Sequence, residues 1–172
     1  MSYHHVGSLA RAWQKEIADP VFLSTTTNTL DAKGRVSVPA PFRARVAKDG
    51  FETVVIWMSL NGDYLEGATL SYLERLQDSL DQMDPFDETR EAMEQAIFGG
   101  SVELGFDSGG RISLPATLID AAGLAKKATF VGVGRTFQIW NPDAHAAHLE
   151  TARATALANR SQVPTPTPKA RT

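Results

Sequence analysis

The stretch Leu30-Asp31-Ala32-Lys33-Gly34-Arg35-Val36-Ser37-Val38-Pro39 decides how the chain is read, because it returns as Phe106-Asp107-Ser108-Gly109-Gly110-Arg111-Ile112-Ser113-Leu114-Pro115. Asp31 and Asp107 stand 76 positions apart, and the apolar residue, Gly, Arg, β-branched residue, Ser and Pro keep that spacing. Self-similarity of this length within 172 residues marks a duplicated unit. An Asp at this place accepts hydrogen bonds from backbone N–H groups a few residues on and so builds a turn. Gly34 and Gly110 take the position where a tight turn needs positive φ. Asp31, Gly34, Asp107 and Gly110 are therefore the turn-structuring residues. The Arg-β-branched-Ser-apolar alternation that follows suits a half-buried strand. Pro39 and Pro115 stop it and open a helix at its first turn. A hairpin with a stabilising Asp–Arg pair explains one copy, but a hairpin needs only Asp and Gly. The same Arg kept twice points to a shared task or a shared fold constraint.

Working outward, 21–30 reads as a Thr-rich strand leading into the first motif. A short helix over 40–48 ends at Asp49-Gly50. The run Thr-Val-Val-Ile-Trp-Met over 53–58 is a buried strand, and Asn61-Gly62-Asp63 turns it back into a short return strand. Helices follow over 68–80, with Leu73, Leu76 and Leu80 on one side, and over 87–98, with Met93, Ile97 and Phe98 inward. The second copy then repeats the order: strand 101–106, motif, helix 115–122, strand 129–133, turn and return strand 137–140. Asn141 caps a last helix with Pro142 at its first position. The division expected is an N-terminal extension (1–20, helical over 8–18), a first repeat with acidic helices (21–98), a second repeat with a C-terminal helix (99–160) and a disordered Pro/Thr tail (161–172).

No run approaches the roughly 18–20 apolar residues of a membrane span, and 9–17 is too interrupted by charge for a signal peptide. With no cysteine there is no disulfide framework or thiolate metal site. A cytoplasmic protein is the expectation. Net charge is −3, against an overall basic polyanion binder, but its distribution is polar. Over 30–48 there are five basic side chains (Lys33, Arg35, Arg43, Arg45, Lys48) and one acidic; over 60–100 there are ten acidic and two basic. A basic face still binds a polyanion, more so if an assembly repeats it.

Catalytic chemistry finds no pattern. There is no Cys nucleophile, G-x-S-x-G, Walker A or H-E-x-x-H, and Gly132-Val133-Gly134 precedes a hairpin turn instead of a helix. His4-His5 and the pair His145/His148 lack further ligands nearby, and the acids of 81–94 read as a solvated face. The expectation is a non-enzyme without metal or cofactor.

The doubled L-D-A-K-G-R-V-S-V-P and F-D-S-G-G-R-I-S-L-P-A resemble the paired D-x-x-x-R motifs of the MraZ family, over roughly 22–148. That resemblance implies a bacterial transcriptional regulator of the division and cell wall gene cluster. It implies an α+β fold of two tandem AbrB-like (SpoVT/AbrB-type) β-hairpin-plus-helix repeats, interleaved in a small β-barrel with flanking helices. It also implies a homo-oligomeric ring that sets motif loops against repeated promoter boxes, nucleoid-associated and without a small-molecule substrate. Family members begin near the equivalent of Phe22, so the extension departs from the pattern. Lys33, Arg35 and Arg111 are the candidate DNA-binding residues; Arg reads guanine edges bidentately or clamps phosphate. Because Gly109 stands where the first copy has Lys33, the first turn is expected to dominate affinity. The competing expectation is a structural or oligomeric interaction module whose basic residues only solubilise it.

Overall fold

Each element follows a local cause. The computed structural model describes residues 21–165. The helix expected over 8–18, His4-His5, and the tail beyond 165 lie outside them. In chain order come β1 (Thr25–Thr29), β2 (Arg35–Ser37), α1 (Ala40–Lys48), β3 (Thr53–Met58), β4 (Leu65–Ala68), α2 (Leu70–Leu80) and α3 (Glu88–Glu94). A π-helical turn (Gln95–Gly99) continues α3. Then follow β5 (Val102–Gly105), β6 (Arg111–Ser113), α4 (Ala116–Ala121), β7 (Lys127–Gly132), β8 (Phe137–Trp140), α5 (Pro142–Ala158) and a 3-10 turn (Arg160–Gln162). This is a mixed α+β fold on an antiparallel sheet. The motif prolines sit one residue earlier than expected: Pro39 and Pro115 are the extended N-cap residues of α1 and α4. Pro41 supplies the proline of the first turn of α1. Asn141 caps α5 by accepting from the N–H groups of Asp143 and Ala144.

Six strands form one sheet in the order β1-β7-β8-β4-β3-β5, and β2 pairs with β6 in a separate two-stranded ribbon. Exchanging β1 with β5, β3 with β7 and β4 with β8 returns the same order read from the other edge. Strands pair across residue 98: β1 with β7, and β5 with β3. The ribbon register is symmetric too, with Arg35 opposite Ser113, Val36 opposite Ile112 and Ser37 opposite Arg111.

The main core lies between the sheet and the ribbon. Val36 and Ile112 contribute the ribbon's inner face, α1 gives Phe42 and Val46, and the sheet gives Ile56, Leu65, Phe130, Phe137 and Ile139. Phe22, Phe42 and Phe137 meet edge-on or tilted with centroids 5.0–5.3 Å apart, a favoured aromatic geometry. A second cluster covers the opposite face of β3, where Val55 and Trp57 meet Leu73 and, from the π turn, Ile97 and Phe98. Burial on both faces is why β3 reads as an unbroken apolar run.

The π turn corrects one expectation. Its wider turn brings Ile97 and Phe98 onto the sheet, while Met93 on α3 stays exposed and α3 buries nothing.

Candidate nucleic-acid interface

The two motif turns are built alike, bond for bond. Asp31 Oδ1 accepts from the backbone N–H groups of Lys33 and Arg35, both at 2.9 Å, and Oδ2 accepts from Arg35 Nε at 2.8 Å. Asp107 accepts from the Gly109 and Arg111 N–H groups at 2.9 Å and from Arg111 Nε at 2.8 Å. In each turn the Gly donates to the carbonyl of that Asp at 3.0 Å, with Gly34 at φ 76 and Gly110 at φ 74. Both turns thus occupy the left-handed region that costs a side-chain-bearing residue about 1–2 kcal/mol.

These bonds hold both carboxyls below the ordinary Asp value of 3.8. The backbone N–H of the partnered Arg is the largest cause; partial burial opposes it, and the guanidinium and the second backbone N–H assist. Each Asp is therefore a fixed anion that orients its Arg. Nε is taken by the carboxylate, which leaves the outer Nη edge of Arg35 and Arg111 for another acceptor. That edge matches a guanine O6/N7 pair or a phosphate.

The ribbon decides where those edges point. Val36 and Ile112 face the core, so by the two-residue period Arg35, Ser37, Arg111 and Ser113 share the outer face. Arg35 and Arg111 are diagonal neighbours across the pair, with their Cβ atoms somewhat under about 7–8 Å apart. Both are partly exposed, at 36% and 40% of their side-chain surface. The turns also lean on each other: Leu114 N–H donates to Gly34 O at 2.8 Å, and Val38 N–H to Gly110 O at 3.1 Å. All seven motif residues named from the sequence thus sit on one ribbon and its two turns, with Lys33 exposed beside Arg35.

The basic stretch of 30–48 is not all surface. Arg45 is only 6% exposed; its Nη1 lies 2.8 Å from Asp49 Oδ1 and its guanidinium lies over the Phe22 ring at 5.5 Å. An i,i+4 carboxylate and an aromatic face account for its burial. Asp49 also accepts from Ser71 Oγ, tying α1 to α2. Four basic side chains remain for the surface. Arg43, one of these basic side chains, lies against the second turn: a Cβ added to Gly110 would stand 2.5 Å from its Cζ.

Elsewhere the titratable groups do structural work. Arg90 binds Asp81 at 2.7 Å and Glu94 at 3.0 Å and donates to Met83 O, so Asp81 and Glu94 help hold α2, the loop and α3 together. His148 stacks on Trp140 at 4.7 Å, and Trp140 stacks on Tyr64 at 4.0 Å. Among the described residues no group of His, Cys, Asp or Glu is placed to hold a metal ion. No helix among them is long and apolar enough to cross a membrane.

Similarity to known proteins points the same way. A family model described as "MraZ protein, putative antitoxin-like" matches residues 97–163. "Transcriptional regulator MraZ" of Rickettsia akari (strain Hartford) is 41% identical over 140 residues, covering 81% of this chain and 94% of that protein. The protein of the same name from Rickettsia felis (strain ATCC VR-1525 / URRWXCal2) is 41% identical over 140 residues, with the same coverage. That of Rickettsia bellii (strain OSU 85-389) is 39% identical over 141 residues, again covering 81% of this chain and 94% of that protein.

Proposed function

The chain belongs to the MraZ family, and from that premise we propose that it binds double-stranded DNA sequence-specifically as a transcriptional regulator, through Lys33, Arg35 and Arg111. The observation that carries this reading is the matched pair of Asp-clamped arginines on the outer face of one two-stranded ribbon. A ribbon of this width enters the major groove, and two pre-oriented guanidiniums there read guanine edges with less side-chain entropy left to lose. Lys33 adds a phosphate contact at the first turn.

The same reading extends to assembly. A hairpin-and-helix unit copied once accounts for the 76-residue spacing and for the strand order that survives exchange of halves. This is an AbrB-like pair of repeats, with boundaries near residues 98 and 160 and the strands of each completing the other. Several protomers in a ring set many ribbons against repeated boxes, and effective concentration then raises the affinity of individually weak contacts. The boxes lie upstream of the division and cell wall gene cluster, binding there represses it, and the protein is cytoplasmic and nucleoid-associated. Its cation-bearing turns take no cofactor.

Footprinting of the purified protein on the DNA upstream of its own gene, with a mass measurement of the assembly, tests this. Protection of evenly spaced boxes is expected. The competing reading, an oligomeric module without nucleic-acid contact, predicts no protection and no DNA affinity even at low salt.

A further inference from the structure

The two turns are packed alike but are not charged alike beneath. Gly34 rests against α4, where a Cβ added to it would stand 3.2 Å from Ile119 Cδ1. Gly110 rests against α1, where the neighbour is the Arg43 guanidinium, with Cζ and Nη1 at 2.5 Å and Nε at 2.7 Å from such a Cβ. Positions 43 and 119 stand 76 apart, the motif spacing, so an Ile in one half takes the place of an Arg in the other.

Among the described residues Arg43 makes one hydrogen bond, Nε donating to Val38 O at 3.2 Å. The adjoining Val38 N–H donates to Gly110 O, which fixes this strand end to the second turn. Arg43 is half-buried, and among the described residues its Nη groups meet no carboxylate. Arg35, Arg45, Arg90 and Arg111 each have at least one. A guanidinium whose Nη groups meet no carboxylate among the described residues, under a turn that lacks the lysine of its counterpart, completes a charge pattern.

We propose that Arg43, reaching across from the first half, is the phosphate contact of the second turn and replaces there the cation that Lys33 supplies to the first. This rests on the DNA-binding reading above. The first turn then carries Lys33 and Arg35, the second Arg43 and Arg111. Each has one base-reading and one phosphate-clamping cation, and the expected dominance of the first turn on charge grounds no longer follows. A phosphate contact carries no sequence information, so its loss weakens specific and scrambled DNA alike.

The test is Arg43→Ile, which copies the packing that Ile119 gives Gly34, and its reciprocal Ile119→Arg, both titrated on operator and scrambled duplexes at 50 and 200 mM salt. Each phosphate contact steepens the salt dependence by about 0.9 in log–log slope, or about 3.5-fold in affinity across that range. Arg43→Ile is expected to lose about that factor per engaged copy on both duplexes while its thermal melt is kept, with Arg43→Lys restoring the slope. Ile119→Arg is expected to gain it. If wild type binds but Arg43→Ile leaves the slope unchanged, the role of Arg43 is overturned and the DNA reading stands. If wild type shows no salt-dependent DNA binding, both fall. If Arg43→Ile unfolds, Arg43→Gln takes its place, and a slope equal to that of wild type then overturns the role of Arg43.

Discussion

Replacing Gly34 by alanine tests the junction on which the interface is built. Gly34 holds φ 76, and an added Cβ would stand 2.7 Å from Leu114 O and 3.2 Å from Ile119 Cδ1. The carbonyl is backbone, just past the end of β6, and cannot swing aside. The same residue supplies the acceptor for Leu114 N–H at 2.8 Å, so a shift large enough to relieve the clash strains that bond. Left-handed strain costs about 1–2 kcal/mol. Overpacking adds about 1–3 kcal/mol. Lower entropy of the unfolded chain returns about 0.4–1 kcal/mol. Gly50 provides the control: it holds φ 85 with nothing within 4 Å of the added Cβ, so Gly50→Ala carries the strain and the entropy gain but no clash. Gly34→Ala is therefore expected to be less stable than Gly50→Ala by about 2 kcal/mol, or about 4–8 °C in Tm for a chain of this length. Urea melts followed by far-UV circular dichroism, at one protomer concentration so that assembly does not enter, measure it. If the two variants differ by less than about 0.5 kcal/mol, the close approach of the first turn to β6 is not what orders this junction.

Gly67→Ala places a Cβ 2.5 Å from the Phe137 ring (Cε2) and 2.8 Å from Ile56 Cδ1; a loss of at least about 2 kcal/mol in chemical denaturation is expected, and a neutral result contradicts the packing of β4 on β8. Carboxyl NMR of Asp31 and Asp107 is expected to show midpoints below 3.8; the clamps' contribution is complete above that value and is lost as pH falls through the lowered one, so midpoints at or above it refute the clamp. His145 is held below its ordinary value of 6.5, first by burial beside Trp140 and then by the charge of His148. Its folded form binds its proton later than the unfolded one, so stability is full above about 6.5 and falls as pH drops from there to the lowered value. An imidazole proton titration with a midpoint at or above 6.5 contradicts this.

Local signals made much of this fold legible. Helix α1 and strand β3 fall on the residues their breakers and apolar run mark, and Asn141-Pro142 opens α5 where it should. The turns were legible because Asp and Gly act within four residues of each other. Strand order was not, since β1 pairs with a strand about a hundred residues away and no local feature names that partner. The π turn has no compositional mark, so Met93 reads as if a regular helix ran on to Phe98. Arg45 resembles its basic neighbours in sequence; the one signal of its burial is Asp49 four residues on. Arg43 was overlooked for a different reason. Its meaning lies in a comparison of the two halves, Arg43 against Ile119, that extends past the motif itself.

The most direct measurement is a mobility-shift titration of wild type against the double variant Arg35→Ala/Arg111→Ala, on the upstream DNA and on a scrambled duplex of the same composition. Loss of both clamped arginines is expected to erase the preference for the upstream sequence, at about 1–3 kcal/mol per bidentate contact removed, while weak salt-sensitive binding persists through Lys33 and Arg43. A double variant that still prefers the upstream sequence as wild type does contradicts the assignment of sequence reading to the clamped arginines.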